Sequence, residues 1–84
     1  MHEVFLEREA ERDLKRLHGQ EFSKVVARIQ GLANNPRPPG SRKIAGSERD
    51  WRIRIGDYRV VYEIDDEANA VRVMRVRHRS EVYR

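Results

Sequence analysis

No cysteine occurs in the 84 residues, which excludes a disulfide framework and a thiolate nucleophile and accords with a reducing compartment. No apolar run approaches the roughly 20 residues of a membrane-spanning helix, or the shorter core of a secretion signal. The chain is therefore expected in the cytoplasm, without a membrane partner. Metal-ligand spacing is missing as well. His2, His18 and His78 are scattered, no HExxH pattern occurs, and the acidic run Asp65 to Glu67 reads as a turn. No metal site and no cofactor are expected. A second domain has no room in a chain of this length, so residues 1–84 read as a single domain that uses nearly all its apolar residues in one core. Internal repeats and low-complexity tracts are absent.

What is present is charge, and its distribution says more than its size. The formal net charge is +4. Residues 1–34 carry six basic and six acidic side chains, while residues 35–84 carry twelve basic and eight acidic, so the whole excess lies in the second part. Fifteen of the eighteen basic residues are arginine, the side chain whose planar fork grips phosphate in a bidentate way and stays protonated.

The stretch Trp51 to Ile64, WRIRIGDYRVVYEI, organises the chain. Trp51, Ile53 and Ile55 alternate with Arg52 and Arg54, the two-residue period of a half-buried strand. Gly56-Asp57 supplies the turn. A second alternation follows, with Tyr58, Val60, Tyr62 and Ile64 on one face and Arg59, Val61 and Glu63 on the other. Trp51, Tyr58 and Tyr62 share parity with isoleucine and valine and belong to the core. If the hairpin pairs its polar faces, Arg59 joins Arg52 and Arg54 on one surface. Like charges opposite one another on paired strands cost up to about 1 kcal/mol, a cost that points to an anionic partner.

Met1 to Leu6 reads as a first strand. From Glu7, Ala10, Leu14 and Leu17 fall at helical spacing and Gly19 offers a stop; Phe22, Val25, Val26, Ile29, Leu32 and Ala33 then continue the helical period, giving two antiparallel helices joined by a short turn. Asn34 to Gly40 contains Pro36, Pro38 and Pro39 and can only be a loop. Ser41 to Glu48 leads into the hairpin with Ile44 as its apolar anchor, and after a turn at Asp65 to Asn69 a third meander strand runs from Ala70 to Val76. Its apolar residues Val71, Val73, Met74 and Val76 do not keep one parity, which implies a bulge or burial on both faces. The expected fold is α+β: an N-terminal strand, a helical hairpin and an antiparallel β-meander, in one sheet with the helices on one face.

The order strand, helical hairpin, Pro-rich loop, KIAG, WRIRIGDYRVVYEID and VRHRSEVYR resembles the RelE/ParE toxin superfamily over essentially the whole chain, and its RelE branch most closely. That resemblance implies a toxin of a type II toxin-antitoxin system, bound by a cognate antitoxin in a hetero-oligomer, that enters the ribosomal A site and cuts mRNA there. It puts the functional positions on Arg52, Arg54, Arg59, Arg79 and Tyr83. Some members carry lysine where this chain has Arg52 and Arg54. The ParE branch implies a different activity, inhibition of DNA gyrase by binding, without nuclease chemistry.

Cleaving RNA without a metal requires the 2′-hydroxyl to attack the adjacent phosphate, with a base, a charge stabiliser and an acid for the leaving oxygen. Arg52 and Arg54 suit phosphate binding, and Arg59 and Arg79 the stabilisation of developing charge, but arginine is a poor base. Tyr83, His78 and Glu81 remain. A ring of guanidiniums would favour the Tyr83 phenolate, and its ring could stack on a base; His78 offers an imidazole, the side chain suited to acid-base work near neutral pH; Glu81 suits pairing with a neighbouring arginine. Tyr83 and His78 stay open as the base.

Overall fold

The computed structural model describes residues 1–82. The chain starts with β1 (Glu3–Leu6), followed by α1 (Arg8–Lys15) and α2 (Gly19–Gly31), then β2 (Arg42–Lys43), β3 (Asp50–Ile55), β4 (Tyr58–Asp65), β5 (Ala70–His78) and the short α3 (Arg79–Val82). The five strands form one sheet in the order β1-β5-β4-β3-β2. β1 lies parallel to β5 and every other pair is antiparallel. The expected strand, helical hairpin and meander are all present, in an α+β domain.

One face of the sheet makes the core. Ile53, Ile55, Val60, Tyr62, Ile64, Val71, Val73 and Val76 pack there against Ala10, Leu14 and Leu17 and against Val25, Ile29 and Leu32, with Trp51 and Tyr58 half-buried at the margin. Complete burial of aliphatic side chains contributes about 1.5–3 kcal/mol each, so this layer dominates the stability. Tyr62 is fully enclosed and its hydroxyl donates to the Pro36 carbonyl at 2.7 Å, tying the Pro-rich loop to the middle of the sheet. Burial pushes the Tyr62 phenol above its ordinary value.

Three local details depart from the pattern read in the sequence. Gly19 does not end the first helix; α1 stops at Lys15, and Gly19, at φ +57°, starts α2 in a left-handed conformation that glycine adopts without steric cost. Phe22 continues the helical stripe of α2, yet it is 42% exposed, because the stripe is covered only from Val25 onward. Arg42–Lys43, read as part of a lead-in segment, pairs with β3 as an edge strand of two residues.

The parity break in the third meander strand resolves as a bulge. Val61 stands opposite Arg75 and Tyr62 opposite Val73, so Met74 is an extra residue on β5. Before it, Val71 and Val73 face the core; after it, Val76 does. Without the extra residue the alternation begun at Val71 would turn Arg75 and Arg77 into the core. With it, they point to the open face and His78 takes the core side.

Beyond Val73 the edge of β5 is no longer covered by β1. There the Asp13 carboxylate on α1 accepts the Val76 amide at 2.9 Å and the Arg75 guanidinium at 2.9 and 3.2 Å. Asp13 is the one charged residue buried among the described residues, and it satisfies a strand amide that would otherwise lack a partner.

Candidate functional site: an arginine face on the open side of the sheet

The β3–β4 hairpin turns through Gly56-Asp57, with Gly56 at φ +59°, so that Ile55 pairs with Tyr58. This register sets Arg54 directly opposite Arg59, and β5 sets Arg77 directly opposite Arg59 on its other side. Three guanidiniums therefore form one row across three adjacent strands. Two residues along β3, Arg52 stands opposite Val61 on one side and Arg42 on the other.

Two other arginines of the sheet are neutralised within the fold. Arg72 reaches Glu7 at 3.4 Å and Glu63 at 4.0 Å, and Arg75 pairs with Asp13 and Glu9. For Arg52 and for two members of the row, Arg54 and Arg77, the compensation is thinner. Among the described residues no carboxylate ion-pairs with Arg52 or Arg54, and Arg54 donates only a long 3.4 Å hydrogen bond to the Gly56 carbonyl. Arg77 lies 3.6 Å from Glu81, an ion pair too long for a hydrogen bond, and its buried Nε has no hydrogen-bond partner among the described residues. A groove of about 780 Å³ runs across this surface, lined by Arg52, Arg59, Arg77, Lys43 and Glu81 around an apolar floor of Ile44, Ala45 and Val61.

Arg79 follows at the start of α3. Its amide donates to the Asp57 carbonyl at 2.7 Å and its guanidinium lies 3.7 Å from the Asp57 carboxylate, anchoring the C-terminal turn to the hairpin loop. It shares a shallow depression with Arg54 and Arg59. The structure thus brings together Arg54, Arg59 and Arg79, with Arg52 beside them along β3.

His78 is not brought to this face. It pairs with Tyr58 across the strands, with ring centroids 5.2 Å apart in an edge-on contact, and its Nδ1 accepts the Ser80 amide at 3.2 Å with the Ser80 hydroxyl at 2.9 Å. Burial first, and then the hydrogen bond and charge of Glu21, raise the Tyr58 phenol above its usual value. Tyr83 lies outside the described residues. Arg77 is the member of the row that the alternation analysis missed; the parity break at Met74 was the available signal, since it alone decides whether Arg77 or His78 reaches the arginine face. Among the described residues no cluster of three histidine, aspartate or glutamate side chains is arranged as a metal site, and no helix is long and apolar enough to cross a membrane.

Residues 4–83 match the family model of the ParE toxin of type II toxin-antitoxin system, parDE. Toxin RelG of Mycobacterium tuberculosis is 38% identical over 79 residues, covering 89% of this chain and 87% of the relative. Toxin RelE of the same organism is 40% identical over 76 residues, covering 89% and 78%. The chain also superposes on the structure of the M. tuberculosis toxin-antitoxin complex RelBE2 with a TM-score of 0.81 and 31% identity, over 93% of this chain and 98% of that one. This chain belongs to the RelE/ParE superfamily of type II toxin-antitoxin toxins.

Proposed function

We propose that the chain is a ribosome-dependent mRNA endonuclease that works in the cytoplasm and is held inactive by a cognate antitoxin. The observation that carries this reading is the row Arg54–Arg59–Arg77, three like charges set directly opposite one another across three adjacent strands. In the reaction, the 2′-hydroxyl loses its proton to a base and its oxygen bonds to the adjacent phosphorus. The bond from phosphorus to the 5′-oxygen breaks, leaving a 2′,3′-cyclic phosphate, and the 5′-oxygen takes a proton. Arg59, Arg77 and Arg79 stabilise the charge that builds on the phosphoryl oxygens. Arg52 and Arg54 hold the strand. Arginine cannot serve as the base, and the packing of His78 against Tyr58 favours Tyr83 for proton transfer. The curated relatives named Toxin RelG and Toxin RelE support a RelE-like toxin, and the RelBE2 toxin-antitoxin complex among the similar structures supports an antitoxin partner.

The name of the matching family model favours a second reading, a toxin that binds DNA gyrase and does no chemistry. Primer extension on mRNA from cells expressing the chain, with gyrase supercoiling assayed in parallel, separates the two. Cuts in translated mRNA with supercoiling intact are expected; lost supercoiling with uncut mRNA overturns the nuclease. Within the nuclease reading, Tyr83→Phe should slow cutting about 10²- to 10⁴-fold in a folded, ribosome-binding protein, the usual contribution of a general acid-base group. His78→Ala should leave most cutting intact. The reverse pattern would transfer the role to His78.

A further inference from the structure

The arginine row accounts for one phosphate, but the basic surface continues past it. Arg52 and Arg54 are two residues apart on β3, roughly 7 Å along the strand, a step comparable to that between neighbouring phosphates of an extended single strand. At Arg52 the edge strand β2 adds Arg42, set directly opposite Arg52, and Lys43, set opposite Trp51 and lining the groove. Both are exposed, and among the described residues neither ion-pairs with a carboxylate. The like-charge opposition of Arg42 and Arg52 costs stability. Ile44, Ala45 and Val61 supply apolar surface between this pair and the row, of a size to lie under a sugar or a base edge.

We propose that β2 is a second phosphate subsite: Arg42 and Lys43, with Arg52, hold the phosphate next to the one bound at Arg54, Arg59 and Arg77, so that the sheet face grips two consecutive phosphates of one RNA strand. This rests on the nuclease reading and extends it to the length of substrate the protein itself contacts.

The full chain is titrated with 2′-O-methyl oligoribonucleotides, which cannot undergo 2′-oxygen attack, carrying either one or two internucleotide phosphates, over a range of salt concentrations. For the parental chain the second phosphate should tighten binding about fivefold to tenfold and steepen the logarithmic salt dependence by roughly 0.7, the increment for one phosphate of a single strand. The R42Q/K43Q variant should bind the one-phosphate probe as the parent does and lose both increments. R42K/K43R, which restores charge on β2, should regain them, and the melting temperature of each variant confirms folding. Equal increments in the parent and in R42Q/K43Q overturn the second subsite and leave the nuclease reading standing. So does loss of both probes by a folded R42Q/K43Q, which would make β2 part of the first site. Failure of the parental chain to bind either probe at low salt overturns the phosphate-binding face and the subsite together.

Discussion

Arg75 and Arg77 stand two residues apart on β5, both on the open side of the sheet, and they have opposite surroundings. Arg75 is gripped through two hydrogen bonds by the buried Asp13 and by a third from Glu9, and hydrogen bonding to Asp13 raises its affinity for its proton further. Arg77 faces Arg59 across the strand, and among the described residues its Nε lacks a hydrogen-bond partner and Glu81, at 3.6 Å, is the one carboxylate that ion-pairs with it. The first arginine closes a strand edge. The second is held where like charge opposes it. An arginine whose fork is filled by the fold is structural, whereas one left next to other guanidiniums is, on the proposed function, the group that takes an anion from outside.

Exchanging each for alanine tests this contrast most directly. Arg77→Ala should remain folded, with stability within about 0.5 kcal/mol of the parent, since it also removes a like-charge pair. On the nuclease reading its mRNA cutting should fall about 10²- to 10³-fold, the effect of deleting one charge-stabilising donor. Arg75→Ala should do the opposite: a loss of about 1–2 kcal/mol in urea unfolding and near-parental cutting by the folded fraction. If Arg75→Ala loses cutting while Arg77→Ala loses stability, the division between the two arginines is wrong.

The next largest effect lies at Asp13, the group that makes Arg75 structural. Asp13→Ala strips the acceptor from the Val76 amide and from a partly buried guanidinium, and a loss of about 2–4 kcal/mol is expected. Asp13→Asn keeps one carbonyl for the Val76 amide and should lose less. Urea unfolding of the two variants with the parent checks the order; equal losses would mean that charge, and not the amide cap, holds this edge.

The core and the hairpin were legible in the sequence because period-two and period-3.6 patterns report burial directly. The pairing of Arg54 with Arg59 was conditional on a register that the alternation left open, and the two-residue turn at Gly56-Asp57 sets it in the fold. What could not be read is instructive in each case. The parity break of β5 was visible, but nothing local distinguishes a bulge at Met74 from a strand buried on both faces, and that distinction brings Arg77 in and takes His78 out. Asp13 acts on residues 62 and 63 positions away, beyond any periodicity. A two-residue edge strand such as β2 has no pattern to detect. Tyr83 keeps its role as a proposal on chemistry alone.

The smallest expected effect concerns the core side of the same sheet and sharpens the contrast from there, because Tyr62 is a polar group whose needs the fold meets completely. Tyr62→Phe removes the hydrogen bond to the Pro36 carbonyl and should cost about 1 kcal/mol at neutral pH. Its pH dependence has a definite sign. Burial raises the Tyr62 phenol above its ordinary value, against smaller opposing contributions from Ser41 and Arg37, so above pH of about 10 the unfolded chain releases a proton that the folded one retains. The stabilisation is complete below that pH and is lost as pH rises through the folded value. In urea unfolding from pH 7 to 11 the parent should therefore weaken more steeply above about 10 than Tyr62→Phe, which keeps only the alkaline loss due to Tyr58 and the remaining groups. Parallel curves for the two proteins would show that the Tyr62 hydroxyl ionises in the folded state as freely as in the unfolded one.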